Sequence, residues 1–178
     1  MTSNSLSNAA AASTTPLTNL ASTPSNAEPN HADTLSYADI QSIVADDFDI
    51  MDKQVFGSLN SKVQLVMSVS QHVINAGGKR MRPLITLLCA RMFNDEPSQQ
   101  AMHLAAITEM LHTATLVHDD VIDESGQRRG KPTANATWDN ATAVLVGDYL
   151  IARAFNLLVG FQSLPLLQVF SDGTCDIA

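Results

Sequence analysis

A chain of 178 residues is long enough for one domain with an apolar core and short for two. A formal net charge of −8, with ten Lys and Arg, excludes a general nucleic-acid binder, which needs a basic face. Two cysteines, Cys89 and Cys175, do not make a disulfide framework and read as reduced thiols, buried or incidental.

Residues 1–35 are mostly Ser, Thr, Asn, Ala and Pro, and so are expected to form a disordered low-complexity tail. The domain is expected over 36–178. The first cation is Lys53, so the start lacks the basic residues of an export or import signal. The most apolar run, 141–161, is interrupted by Asp148 and Arg153 and does not read as a membrane span. Together these features predict a soluble cytoplasmic protein without a membrane anchor.

From Tyr37, apolar residues recur at three and four (Ile40, Ile43, Val44, Phe48, Met51), which predicts one amphipathic helix with an acidic outer face. Val63 to Ile74 repeats the spacing, and Ala76-Gly77-Gly78 ends that helix. Pro83 suits the first turn of a third helix over 83–93, so "GGKRMRP" is a loop entering a helix. "NDEPS" at 94–98 is a turn with Ser98 as N-cap of a long helix over 99–122, broken by Gly126, Gly130 and Pro132. A further helix covers 138–160, and a shorter one follows Pro165 and stops before Gly173. No period-two strand and no internal repeat is visible. About six helices define an all-α bundle.

The chemistry concentrates in "HDDVIDESGQRRGKP", 118–132. Asp119 and Asp123 share a helix face, with Cβ atoms roughly 5 to 6 Å apart, and Asp120 is turned about 100° away. Two ionised carboxylates there repel by about 3 kcal/mol at an effective dielectric near 20, which calls for a cation between them. Mg²⁺ suits such a pair, since it takes oxygen ligands and shares its shell with water and phosphate oxygens. A solvated acidic helix end neutralised by Arg128, Arg129 and Lys131 is the alternative. His112 lies two turns before Asp119 on the same face, where a packed histidine is equally at home. The preceding face (Leu104, Ile107, Leu111, Ala114, Thr115) is apolar or small.

Lys79, Arg80 and Arg82 precede or enter a helix N-terminus, where free N–H groups and the macrodipole favour anions. A solvated basic turn balancing the acidic first helix is the alternative. Arg128 and Arg129 add guanidinium forks that match phosphate oxygens bidentately. The combined pattern is a metal-bridged anion held between acids and arginines.

"GGKRMRP", "EMLHTATLVHDDVIDESGQRRGKPT" and "ATAVLVGDYLIARAF", in that order, resemble the trans-polyprenyl diphosphate synthases, and are most similar to those of bacterial octaprenyl diphosphate synthases. The resemblance covers most of 37–178. It implies the N-terminal part of the isoprenoid synthase helical bundle, a Mg²⁺ cofactor, and head-to-tail condensation of isopentenyl diphosphate with an allylic prenyl diphosphate. By this resemblance Lys79, Arg82 and His112 hold the isopentenyl diphosphate, assisted by Arg129, and Arg128 grips the allylic diphosphate. Asp119 and Asp123 are the implied metal ligands, with Asp120 supporting them catalytically. Ala114 and Thr115, five and four before the first aspartate, are the implied chain-length positions, and their small size implies a long product. A homodimer through apolar helices is implied for the complete protein.

Asp139 stands where that family commonly has glycine. The family's second aspartate-rich motif is not present by Ala178, so the chain is expected to be an N-terminal half without elongating activity of its own. A non-catalytic partner or regulatory subunit is the alternative. A di-iron carboxylate bundle would use Glu109 and His112, but its second Glu-x-x-His match is Glu28 to His31, with Pro29 inside it. A terpene cyclase would share the aspartates without needing "GGKRMRP" and His112.

Overall fold

The computed structural model describes residues 35–59, 61–94 and 98–177. The expected tail, together with Glu28 and His31, lies outside the described residues, as does most of the turn at 94–98.

Eight helical segments occur among the described residues: α1 (Tyr37–Ser42), α2 (Ala45–Ser58), α3 (Gln64–Ile74), α4 (Met81–Arg91), α5 (Gln99–Ile122), α6 (Ala134–Thr137), α7 (Asn140–Val159) and α8 (Leu164–Ile177). A two-residue ribbon, β1 (Gln127–Arg128) and β2 (Lys131–Pro132), is the exception to the all-α expectation.

α5 is the central helix, with α2, α4 and α7 packed on it. Ser98 caps it as expected, its hydroxyl accepting from Ala101 N at 3.2 Å. Its length buries Ala105, Ala106, Ile107, Met110, Ala114 and Val117, and it packs on α7, which buries the small residues Ala143, Gly147 and Ala154. Gly147 makes room for His118: a Cβ there would sit 2.2 Å from His118 Nε2 and displace the ring. His118 reaches across to Val144 O at 3.2 Å and Asp148 Oδ1 at 3.4 Å, tying the last turns of α5 to α7.

Four boundaries differ from expectation. The single first helix is two, because Ile43 N and Val44 N bond three residues back, to Ile40 O and Gln41 O, tightening the chain into a turn that buries Val44. α4 begins at Met81, two residues early; Pro83 is still in the first turn, where its missing N–H costs nothing. A one-turn α6 precedes α7, whose N-cap is Asp139: its carboxylate accepts from Thr142 N at 2.7 Å and from Thr142 Oγ1 at 3.0 Å. The Asp139 position that departs from the resembled family therefore has a local role, and the Thr142 backbone bond holds its carboxyl below the usual range. α8 runs through Gly173 to Ile177, since one interior glycine, at a cost of about 1 kcal/mol, does not stop a helix anchored on the core by Leu166, Leu167 and Phe170. Cys89 and Cys175 are both exposed rather than buried.

α7 is 20 residues long with a mean hydropathy of 1.5 in its most apolar window, enough by length and composition to cross a bilayer. It carries Asp148 and Arg153 and packs on α5.

Candidate functional site

Two short loops converge on the middle of α5. The first, between α3 and α4, turns through Gly77 (φ 77°) and Arg80 (φ 48°), and delivers Lys79 and Arg82, both exposed, to the N-terminus of α4. A non-glycine residue in the left-handed region costs roughly 1–2 kcal/mol, so the surroundings must hold Arg80 there. They do: Tyr37 Oη donates to Lys79 O, and Arg80 pairs with Asp52 of α2.

The second loop is the β1–β2 hairpin. Its two central residues, Arg129 (φ 54°) and Gly130 (φ 75°), both have positive φ, the geometry of a type I′ turn. The hairpin is clamped to the end of α3: Lys131 Nζ donates to Asn75 O at 2.8 Å, and His72 Nε2 lies 2.9 Å from Pro132 O, with its ring edge-on to Trp138. This seating places the Arg129 guanidinium against the Gly78 backbone of the first loop. A Cβ on Gly78 would lie 2.2 Å from Arg129 Nη1. Gly78→Ala is therefore expected to expel Arg129 and weaken anion binding about tenfold, with little loss of stability because both groups are exposed. Calorimetric titration with inorganic diphosphate beside a thermal melt checks this.

Between the loops and α5 lies a cavity of about 140 Å³, lined by Lys79, Arg80, Arg82, Arg128 and Arg129, by His112, and by the carboxylates Glu109 and Asp120. Asp120 is 6 % exposed and accepts from Arg128 Nε at 3.0 and 3.1 Å and from Nη2 at 2.9 Å. These bonds, and the nearby Asp119 and Asp123 charges, hold the Arg128 guanidinium firmly protonated. Burial pulls His112 below its usual value, and Arg82, Arg129 and Arg128 add to the effect, so its imidazole is neutral at pH 7. Burial pushes Glu109 up despite Arg80, Arg82 and Arg129 around it. Five cations thus meet two carboxylates on this cavity, an excess of positive charge suited to an anion.

A second, more open groove of about 480 Å³ shares Arg82, His112 and Leu116 with the first. Thr108, Leu111, Thr115 and Asp119 form its α5 wall, and Phe170, Gly173 and Ile177 its α8 wall.

The structure thus brings Lys79, Arg82, His112, Arg128, Arg129 and Asp120 together in one cavity and puts Asp119 and Thr115 on the adjoining groove. Asp123 caps the end of α5 and lines neither. Ala114 is fully buried in the core, one hundred degrees round the helix from Thr115, and does not reach the groove. Among the described residues no three His, Cys, Asp or Glu converge on a metal site. Asp119 and Asp123 are both exposed, so their repulsion is nearer the few tenths of a kcal/mol of a solvated i,i+4 pair than the 3 kcal/mol expected. No hydrogen bond or ion pair among the described residues engages their carboxylates, and two hard oxygen donors of that kind fit Mg²⁺. Sequence reasoning missed Tyr37, Asp52 and His72, which hold the loops, and weighed Glu109 only as an iron ligand.

Comparison with known proteins supplies the context. Residues 63–178 match the family described as Polyprenyl synthetase. The chain is 63 % identical over 140 residues to the all-trans-nonaprenyl-diphosphate synthase (geranyl-diphosphate specific) of Rhodobacter capsulatus, covering 79 % of this chain and 43 % of that one. It is 43 % identical over 139 residues to the octaprenyl diphosphate synthase of Escherichia coli (strain K12), covering 78 % and 43 %. Among solved structures, a decaprenyl diphosphate synthase from Rhodobacter capsulatus superposes with a TM-score of 0.75 at 40 % identity, covering 79 % of this chain and 43 % of that one. A polyprenyl synthase from Caulobacter crescentus, complexed with calcium and isoprenyl diphosphate, superposes with a TM-score of 0.73 at 38 % identity, covering 78 % and 42 %. The chain spans less than half the length of these relatives. By sequence match and by fold, it belongs to the polyprenyl synthetase family.

Proposed function

We propose that this chain provides the isopentenyl diphosphate site and the first aspartate motif of a Mg²⁺-dependent, long-chain all-trans polyprenyl diphosphate synthase. The observation that carries the reading is the convergence of Lys79, Arg82, His112 and Arg129 on one cavity, with Asp119 on the adjoining groove. Lys79, Arg82 and Arg129 hold the diphosphate of isopentenyl diphosphate, and His112 donates a hydrogen bond to it. Arg128, oriented by Asp120, faces the allylic diphosphate. Asp119 and Asp123 would hold Mg²⁺, which when bound stabilises negative charge on the departing diphosphate. The C–O bond of the allylic substrate breaks, the isopentenyl double bond forms the new C–C bond, and a proton leaves. The product chain extends along the α5 groove past Thr115.

The same reading makes the protein cytoplasmic, which the charges Asp148 and Arg153 on α7 and its packing on α5 support, and homodimeric through apolar helix faces. Titration of the purified chain with isopentenyl diphosphate, with and without Mg²⁺, tests it alongside incorporation of labelled isopentenyl diphosphate onto a farnesyl primer. Binding with incorporation supports a catalyst in its own right, binding alone supports either a diphosphate-binding part of the enzyme or a partner subunit, and no binding rejects the site. Burial is the larger cause of the lowered His112 pKa and the arginines the lesser; a bound diphosphate offsets the arginines, so the imidazole, neutral in the free site, takes up a proton more readily in the complex. Affinity is therefore expected to rise as pH falls from 8 toward 6, and His112→Gln to flatten the profile.

A further inference from the structure

The basic loop presents three cations, and they are not equivalent. Arg80 directs its guanidinium onto Asp52 of α2, where the two side chains are 20 % and 36 % exposed. Lys79 and Arg82, on either side, have no such partner among the described residues and line the cavity. Arg80 also carries the left-handed backbone (φ 48°, ψ 44°) that caps α4, and Tyr37 of α1 holds the carbonyl immediately before it. Two contacts from elements 28 and 42 positions upstream therefore grip one peptide, at its side chain and at its carbonyl.

We infer that Tyr37 and Asp52 are positioning residues for the diphosphate site: they fix the Lys79–Arg80 turn so that Lys79 and Arg82 face the cavity, and Arg80 shapes the loop instead of binding the anion. The inference rests on the diphosphate reading above. A left-handed arginine is otherwise an unfavourable choice for this turn, and it persists because its surroundings over-determine it. Pairing with Asp52 also offsets one positive charge on the cavity wall, leaving Lys79, Arg82 and Arg129 to meet this anion, while Arg128, oriented by Asp120, serves the allylic diphosphate. The Asp52–Arg80 pair is close enough to the cavity to be felt at Glu109, where both charges act.

Isothermal titration of the 178-residue chain with inorganic diphosphate tests the assignment, using Asp52→Asn, Asp52→Glu, Tyr37→Phe, Arg80→Met and the Asp52→Asn/Arg80→Met double variant, each with a thermal melt. Asp52→Asn is expected to weaken binding about tenfold, the size typical of a lost orienting partner. The double variant should bind no worse than either single one, Tyr37→Phe should lose affinity in the same direction, and Asp52→Glu should recover most of it. Melting temperatures should change little, because the groups are partly exposed. Tighter binding by Asp52→Asn would mean that Arg80 is a ligand held in reserve, and would overturn the inference. So would unchanged binding, or affinity losses that merely follow melting temperature without rescue by Asp52→Glu. Absence of diphosphate binding by the wild-type chain would reject the site reading and this inference with it, whereas wild-type binding with an indifferent Asp52→Asn rejects this inference alone.

Discussion

Asp119→Ala is expected to abolish the Mg²⁺-dependent part of farnesyl diphosphate binding and to cut any chain elongation by about 10²–10³-fold or more, the range for removing one preorganised electrostatic partner of a developing charge. Its effect on stability should run the other way. Asp119 is exposed on the last turn of α5 and shares a face with exposed Asp123, so its removal relieves a like-charge i,i+4 pair worth roughly 0.2–0.5 kcal/mol. The melting temperature should hold or rise slightly. That combination separates a metal ligand from a solvated helix end, because the latter would lose nothing when neutralised. Titration of farnesyl diphosphate at saturating Mg²⁺, repeated in EDTA, gives the comparison. Equal affinities of wild type and variant in both buffers would return the aspartates to the solvated reading. Asp123→Ala is expected to behave alike, since its N–H bonds Asp119 O at 2.8 Å and keeps the two side chains in helical register.

What the sequence disclosed follows from the range of the interactions involved. α5 was readable to the residue because its signals are local: a serine N-cap at one end, glycines and a proline beyond the other. The break between α1 and α2 was not, since no Gly or Pro marks it and the turn exists to bury Val44 in the core. The ribbon escaped because two residues per strand give no alternation to detect, although Gly130 after Arg129 is compatible with the tight turn it makes. The cations were found as motifs, but the division of labour among them was hidden. Arg80 and Arg82 look alike in "GGKRMRP", and only the tertiary pairing of Arg80 with Asp52 distinguishes them. Ala114 and Thr115 were treated together as small residues near the aspartates, whereas helix rotation buries the first in the core and puts the second on the groove.

Asp120→Asn probes the other half of the aspartate motif, and should lower both stability and allylic diphosphate affinity. Asp120 is nearly buried, and its carboxylate takes two N–H groups of Arg128. Loss of one partner from a fully buried pair costs about 3–5 kcal/mol, but the Arg128 side chain is 32 % exposed and can recover water, so about 1–3 kcal/mol is the expected loss. The backbone around it would hold, since Asp120 O still accepts from Ser125 N at 2.9 Å and from Asn135 Nδ2 at 3.2 Å. The functional consequence follows from the donor inventory of arginine. With Nε and one N–H of Nη2 committed to Asp120, Nη1 and the remaining Nη2 proton form a fork fixed in direction and available to a phosphate. An amide at 120 offers one acceptor oxygen in place of two charged ones and leaves that fork free to rotate. Affinity for farnesyl diphosphate is then expected to fall about tenfold, a smaller loss than for Arg128→Ala, because the charge remains and only its orientation is lost. Urea denaturation with parallel titration separates the two effects. A variant that is destabilised but binds with wild-type affinity would make the Asp120–Arg128 pair a fastener of the hairpin, and would leave the allylic diphosphate to be held by other groups.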